Sequence, residues 1–543
     1  MEILQQHFYC RTTLHLLVSF LLLLFALKAL VHLWWRPRRI EKHFAKQGIK
    51  GPPYHFFVGN MKELVGLMLK ASSQPMPLFS HNILPRALSF YHHWKKIYGA
   101  NFLIWFGPTP RLTVADPVLI REIFTSEYYE KYEAHPLVRK LEGDGLINLK
   151  GEKWAYHRKI ISPTFHMENL NLMIPVMARS VNEMLGKWSA MADSGKPEID
   201  VSDSFQTLTE EVVTRTAFGS SYEDGRAIFR LQAQQMVFAT ESFQKVFIPG
   251  YRYLPTKKNR RSWKLDKEIR KSLVELIDRR REISSGKGES DVAEAWPKDL
   301  LELMIRANLR ETENKGTEAE KASSMISVND IVEECKGFFF AGKHTTSNLL
   351  TWATILLAMH PHWQHLARDE VLRVCGTRDL PTKDDVAKLR TLGMILNESL
   401  RLYPPAVATI RRPKVDVQLG GCKIPQGTEL LIPILAIHHD TTLWGQDANE
   451  FNPTRFAQGV GRAAKHPTAF LPFGLGARRC IGQNLAILQA KLAMAMILRR
   501  FSFDLAPSYQ HAPTVLMLLQ PQYGAPIILR KLSDPTRPQD QGS

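Results

Sequence analysis

The chain opens on an apolar run. Residues 14–35 read LHLLVSFLLLLFALKALVHLWW, about the length that crosses a bilayer at 1.5 Å per residue. His15, Lys28 and His32 interrupt it, and Trp34 and Trp35 fall where an aromatic interface belt belongs. Arg36, Arg38, Arg39 and Lys42 follow, whereas only Arg11 precedes. That asymmetry predicts a single-pass anchor over 1–35, with a lumenal N-terminus and the bulk of the chain in the cytosol. No small-residue cleavage site follows, so the run reads as an anchor and not as a signal peptide. Gly51, Pro52 and Pro53 close a basic, proline-rich segment, 36–53, which reads as a stiff extended linker.

Helical patterns dominate the remainder. Ser327 with Asp330 has the form of a helix start, and the chain stays rich in apolar residues until Pro361. About 32 residues give about 48 Å of helix, apolar nearly all round, as expected of a buried central element. A second helix is predicted over 383–402, and a third from just after Cys480. Short strand signals at 101–116 and 430–437 predict a small β region. The polar stretches 284–297 and 310–324 read as surface loops, and 533–543 as a disordered tail. The expected fold is therefore mainly α with a small β region, one large domain over 54–532 behind the anchor.

Composition narrows the picture. The 543 residues are 44% hydrophobic, enough for a sizeable core. Five scattered cysteines with no CxxC pair argue against a disulfide framework and against structural zinc. A net charge of +18 favours anionic partners. The basic clusters at 257–261 and around Arg280 read as solvated faces, and no aromatic-interleaved basic motif points to nucleic acid. No G-x-G-x-x-G joins a strand to a helix, so a directly bound dinucleotide is not expected.

One cysteine stands apart. Cys480 lies in AFLPFGLGARRCIGQNLA, residues 469–486. Gly476 and Gly482 permit a tight turn and close backbone approach. Arg478 and Arg479, with the N–H groups of the helix starting downstream, lower the cost of a thiolate. A lone soft ligand of this kind suits haem iron better than zinc.

The stretch FGLGARRCIG resembles the haem-binding loop of the cytochrome P450 superfamily, with Phe473, Gly474, Gly476, Arg478, Cys480 and Gly482 matching its signature. The resemblance implies haem b with Cys480 as its axial iron ligand. It pairs Glu398 and Arg401 in NESLR with Arg455 in FNPTRF as scaffold behind the haem; Thr454 stands where the family usually has Glu. It assigns AGKHTT, 341–346, to oxygen activation, with Gly342 making room over the iron and Thr345 passing protons to bound dioxygen. His344 replaces the family's usual acidic residue, and either relays protons through its imidazole or points away. Trp154 and Arg158 in WAYHR, Arg478, and Arg411 or its neighbour Arg412 are implied as propionate partners.

The same resemblance implies a monooxygenase acting on a lipophilic substrate. Electrons come from NADPH through a separate NADPH-cytochrome reductase, docking near Lys150, Lys153 and Lys159 at the endoplasmic reticulum membrane. The small apolar residues Ala406, Val407 and Ala408 are expected over the haem. The runs 334–361 and 367–376 look like the plant subfamily that hydroxylates brassinosteroids at C-26 and so inactivates them. A hydroxylase of gibberellins or other terpenoids is the near rival. A haem-thiolate isomerase or dehydratase and a haem carrier without turnover are readings from other classes, and Gly342 with Thr345 tells against the carrier.

Overall fold

The computed structural model describes residues 2–219, 222–242, 253–284, 299–313, 326–376, 378 and 380–532. Of the segments read as loops and tail, 285–297, 314–324 and 533–543 lie outside the described residues. Helices make up most of the rest, and short strands form four small sheets.

The N-terminal run is helical from Glu2 to Leu30, passes through a π-helical turn, Val31–Trp35, and continues as Arg36–Ala45. Its apolar side chains stand clear of the fold, Phe25 at 73% exposed. Among the described residues this is the one helix long and apolar enough to cross a membrane.

The basic segment 36–53 differs from the extended linker expected of it. Pro37, Ile40 and Phe44, spaced three and four apart, form a stripe on Arg36–Ala45 that is buried against the domain. The Tyr54 hydroxyl donates to the Leu33 carbonyl at 2.5 Å, fixing the π turn. A Cβ on Gly51 would run into the Leu103 carbonyl. Gly51 is thus required by a close backbone approach inside the fold and not by a flexible boundary. The packed body begins near Arg36.

The central helix, Val328–Met359, opens with the expected capping box between Ser327 and Asp330. Helices Val201–Ala217, Arg390–Leu402 and Gln483–Arg500 pack along it. The helix predicted over 383–402 is instead two, Lys383–Lys388 and Arg390–Leu402, broken at Leu389. Glu370, on the neighbouring helix Pro361–Cys375, accepts the N–H groups of Arg390, Thr391 and Leu392 at 2.9, 2.8 and 3.0 Å. A carboxylate from elsewhere in the chain caps the new start, which local pattern cannot foretell.

The largest sheet holds β1 (Leu103–Phe106), β2 (Thr109–Thr113), β3 (Tyr129–Lys131), β4 (Thr409–Pro413) and β5 (Glu429–Ile432), in the order β1-β2-β5-β4-β3. The strand signal at 430–437 ends early, because Pro433 turns the chain into a short helix, Ile434–His438.

Several histidines are buried in this frame. His81 bonds Tyr403 at 2.8 Å and His360 at 3.0 Å, and His511 bonds Tyr509 at 2.9 Å. Burial pushes His81 and His438 down to about 3, and His439 and His511 down to about 4. They are neutral when folded, while the unfolded chain takes up protons once the pH falls below 6.5. Stability is therefore expected to fall as the pH drops through 6.5, by about 2 kcal/mol per histidine at pH 5. Thermal unfolding at pH 7 and pH 5 checks this; an unchanged midpoint would sink it.

Candidate active site

The Cys480 loop is built from two 3₁₀ turns, Pro467–Ala469 and Gly476–Arg478, leading into helix Gln483–Arg500. Gly476 has φ +69, and a Cβ there would strike the Phe124 carbonyl oxygen. Gly474 has φ +70. Both positions favour glycine on backbone grounds. Gly482 differs from the expected turn former: its φ is −85, it caps the helix, and a Cβ would touch only the Phe165 ring edge at 4.0 Å. The Cys480 N–H donates to the Phe473 carbonyl at 2.9 Å, closing the loop and leaving the cysteine exposed. Surrounding protein pushes the thiol up, while the Gly482 N–H, Arg158 and Arg479 pull it down. Arg158 thus does the work expected of Arg478.

Arg478 has another place. Its guanidinium lies 4.2 Å over the Trp154 ring and donates to the Leu149 carbonyl at 2.7 Å. Trp154 and Arg158 sit one turn apart on helix Gly151–Ile161. Arg411, on β4, is 9% exposed, lies 4.5 Å over the Phe124 ring, and donates to Thr409 Oγ1 and the Ile410 carbonyl. Burial pushes Arg411 and Arg478 each down to about 10, their mutual repulsion adding to Arg411, and it lowers Arg158 as well. Strand alternation turns Arg412, the alternative to Arg411, to the opposite face.

The sequence reading missed Lys131. It lies directly opposite Arg411 in the β3–β4 ladder and is pushed down by burial. Only the pairing of two strands far apart in sequence brings it there. Glu142 stands 3.8 Å from Lys131, but no described carboxylate pairs with Arg158, Arg411 or Arg478. Four half-buried or buried cations facing one another are costly without an anion. The cluster fits the two propionates of a haem whose iron meets Cys480. Nearby, Lys150 and Lys153 are committed to Glu130 at 2.8 Å and Asp330 at 2.7 Å, so of the three lysines expected at a docking face Lys159 alone is exposed and has no ion-pair partner among the described residues.

At 341–346 the room expected at Gly342 is taken up by a neighbouring helix. The central helix is continuous α through 341–346, with no widening. A Cβ on Gly342 would collide with Val213 on Val201–Ala217, so this glycine admits a close helix crossing. Thr345 Oγ1 donates to the Ala341 carbonyl at 2.8 Å, and Thr209 Oγ1 donates to that of Lys343 at 3.0 Å. Lys343 forms an ion pair with Glu210. Ala341, Gly342, His344 and Thr345 keep partial exposure, whereas 331–337 and 346–350 are buried. Burial and Lys343 push His344 down to about 3. Beside it an apolar cluster joins Phe340, Ala134, Val138, Leu141 and Ala239, with Met236 and Met517 against it. Of the three small residues expected here, Val407 turns into the core, and Ala406 and Ala408 stay partly exposed.

The scaffold trio is brought together. Arg401 and Glu398 form a two-pronged ion pair at 2.7 Å and 2.7 Å, both 0% exposed. Arg455 approaches Glu398 at 3.5 Å and binds Asp447. His438, another residue missed in the sequence, links this pair to the cysteine loop: its Nδ1 donates to the Arg401 carbonyl at 3.1 Å and its Nε2 accepts the Leu471 N–H at 3.0 Å.

Comparison with known proteins places the whole chain in one family. The chain is 69% identical over 522 residues to cytochrome P450 734A1 of Arabidopsis thaliana, covering 96% of this chain and 97% of that one. It is 63% identical to cytochrome P450 734A6 of Oryza sativa subsp. japonica over 94% of each chain. It is 42% identical to secologanin synthase 1 of Catharanthus roseus, over 94% of this chain and 96% of that one. The family model described as "Cytochrome P450" matches residues 72–527, and from that match and these relatives the conclusion follows that the chain belongs to the cytochrome P450 family and is a haem-thiolate monooxygenase supplied with electrons by a reductase.

Proposed function

We propose that the enzyme hydroxylates a brassinosteroid at C-26 of its side chain and so inactivates the hormone. It works at the endoplasmic reticulum membrane with its domain in the cytosol, and NADPH-cytochrome reductase supplies its electrons. The observation that carries the substrate reading is the likeness of 334–361 and 367–376 to the brassinosteroid-inactivating subfamily. The apolar cluster around Phe340 and the small residues Ala406 and Ala408 suit a bulky lipophilic body.

Bound haem supplies the one-electron and dioxygen chemistry, its iron held by the Cys480 thiolate. Trp154, Arg158, Arg411 and Arg478, joined by Lys131, hold the propionates through charge-assisted hydrogen bonds. Phe473, Gly474 and Gly482 shape the loop behind the macrocycle. Gly342 sets the central helix close against Val201–Ala217. Thr345 Oγ1 holds its proton on the Ala341 carbonyl and delivers one after rotating about χ1. Glu398, Arg401 and Arg455 hold the loop without touching the reaction.

Thr345→Ala is expected to leave NADPH consumption running while product per NADPH falls several-fold and peroxide rises. Unchanged coupling would remove Thr345 from the proton path. The substrate reading is tested by titrating the ferric protein with brassinosteroids, gibberellins and triterpenes while following the Soret band. A high-spin shift with brassinosteroids is expected; a shift with another terpenoid class alone would move the enzyme to that substrate.

A further inference from the structure

We propose that His344 recognises the substrate, its imidazole hydrogen-bonding a side-chain hydroxyl a few bonds from the carbon that is oxidised. The inference rests on the brassinosteroid reading above and gives it a recognition element.

His344 immediately precedes Thr345 on the central helix, about 1.5 Å along the axis from it. Both residues keep partial exposure on a helix buried on either side. Neighbouring side chains on a helix diverge by about 100°, so the two flank one partly open stretch of the helix, and a ligand large enough to fill it meets both.

Neither ring nitrogen of His344 has a hydrogen-bond partner among the described residues, and the ring's one close aromatic neighbour is Phe340, at a centroid distance of 5.5 Å. Phe340 itself belongs to the apolar cluster with Val138, Leu141 and Ala239. The nearest charge, Lys343, is committed to Glu210. An unpaired polar group in apolar surroundings costs about 1–3 kcal/mol. A ligand hydroxyl removes that cost, because a neutral imidazole offers one donor and one acceptor and a hydroxyl offers the same. The neutral form is the one burial imposes. A proton relay through His344 would need a protein acceptor beyond the ring, and the described residues supply none. A site with such an unpaired group selects strongly against analogues that lack the matching hydroxyl.

The test uses the full-length holoprotein and two brassinosteroids, one with the vicinal side-chain diol and one lacking a single hydroxyl of that pair. Dissociation constants are read from the Soret shift, and product per NADPH is measured beside them. The wild type is expected to bind the diol about tenfold more tightly than the deoxy compound. His344→Leu should bring that ratio to about one, and His344→Gln, which keeps a donor and an acceptor, should restore most of it. The reduced carbon monoxide spectrum of each variant reports that the haem site has formed. A ratio still near ten in His344→Leu overturns the proposal. So does a fall in product per NADPH that is equal for both steroids, which would make His344 a proton relay. Equal binding of the two steroids by the wild type overturns it and leaves the substrate class standing. Absence of any shift with either steroid overturns the substrate class itself and the proposal with it.

Discussion

Cys480→Ser is expected to abolish monooxygenase activity while leaving a protein that still takes up haem. The two halves of that outcome come from different parts of the site. Uptake is expected to depend largely on the cationic cluster of Lys131, Arg158, Arg411 and Arg478, in which the substitution reaches Arg158, beside the thiol, and leaves every side chain of the cluster in place. Activity would depend on electron donation to haem iron from the Cys480 sulfur, which a serine oxygen does not supply. Burial pushes the thiol up while the Gly482 N–H, Arg158 and Arg479 pull it down, and iron binding at the sulfur would favour the thiolate. The Phe473–Cys480 backbone hydrogen bond survives the change, so the loop keeps its shape. Haem content should stay within about twofold of the wild type, the thiolate-type band of the reduced carbon monoxide complex should vanish, and product should fall below detection. Turnover at a measurable fraction of the wild-type rate would mean that Cys480 is not the axial ligand.

Arg401→Leu should be the more damaging change to the fold. The side chain makes five hydrogen bonds: two to Glu398, and one each to the carbonyls of His438, Ala448 and Glu450. Its guanidinium also lies 5.0 Å over the Trp444 ring. Removal leaves the Glu398 carboxylate buried with only Arg455 at 3.5 Å and the Asn452 N–H at 2.9 Å. Breaking one partner of a fully buried pair costs about 3–5 kcal/mol, a large share of the 5–15 kcal/mol that a domain typically holds. Loss of the carbonyl contacts also frees the segment that, through His438, positions Leu471 at the head of the cysteine loop. The expected result is little or no haem-loaded protein. Arg401→Lys keeps the charge but loses the fork, and should give intermediate yield. Yield and thermal stability of the two variants, measured side by side, settle the matter: stable, haem-loaded Arg401→Leu would reduce the pair to a dispensable contact.

Much of this site was legible in one dimension because its key groups are close in sequence. The cysteine loop is a single stretch, Trp154 and Arg158 share one helix, and Glu398 and Arg401 share another. The central helix was legible because its apolar run and capping box are both local. What was not legible depends on elements meeting across the fold. Lys131 is invisible until β3 pairs with β4, and His438 until it bridges Arg401 and Leu471. The break at Leu389 comes from Glu370 on a neighbouring helix. Gly342 shows the converse: its presence was legible but its reason was not, since Val213 lies more than a hundred residues earlier in the chain. The ion pair of Glu398 and Arg401 also gained its weight only from burial, as the same spacing on an exposed helix contributes a few tenths of a kcal/mol.

The unbroken run from Glu2 to Ala45 has a consequence of its own. A flexible tether would let the anchor lean in the bilayer while the domain stayed level. Here Tyr54 clamps the Leu33 carbonyl, and Ile40 and Phe44 are seated in the core, so a lean is transmitted to the domain. A helix longer than the hydrocarbon is thick leans to hide its excess, and leans less as the bilayer thickens. If this run spans a bilayer, the thickness of that bilayer alone would set the angle at which the domain rests against it.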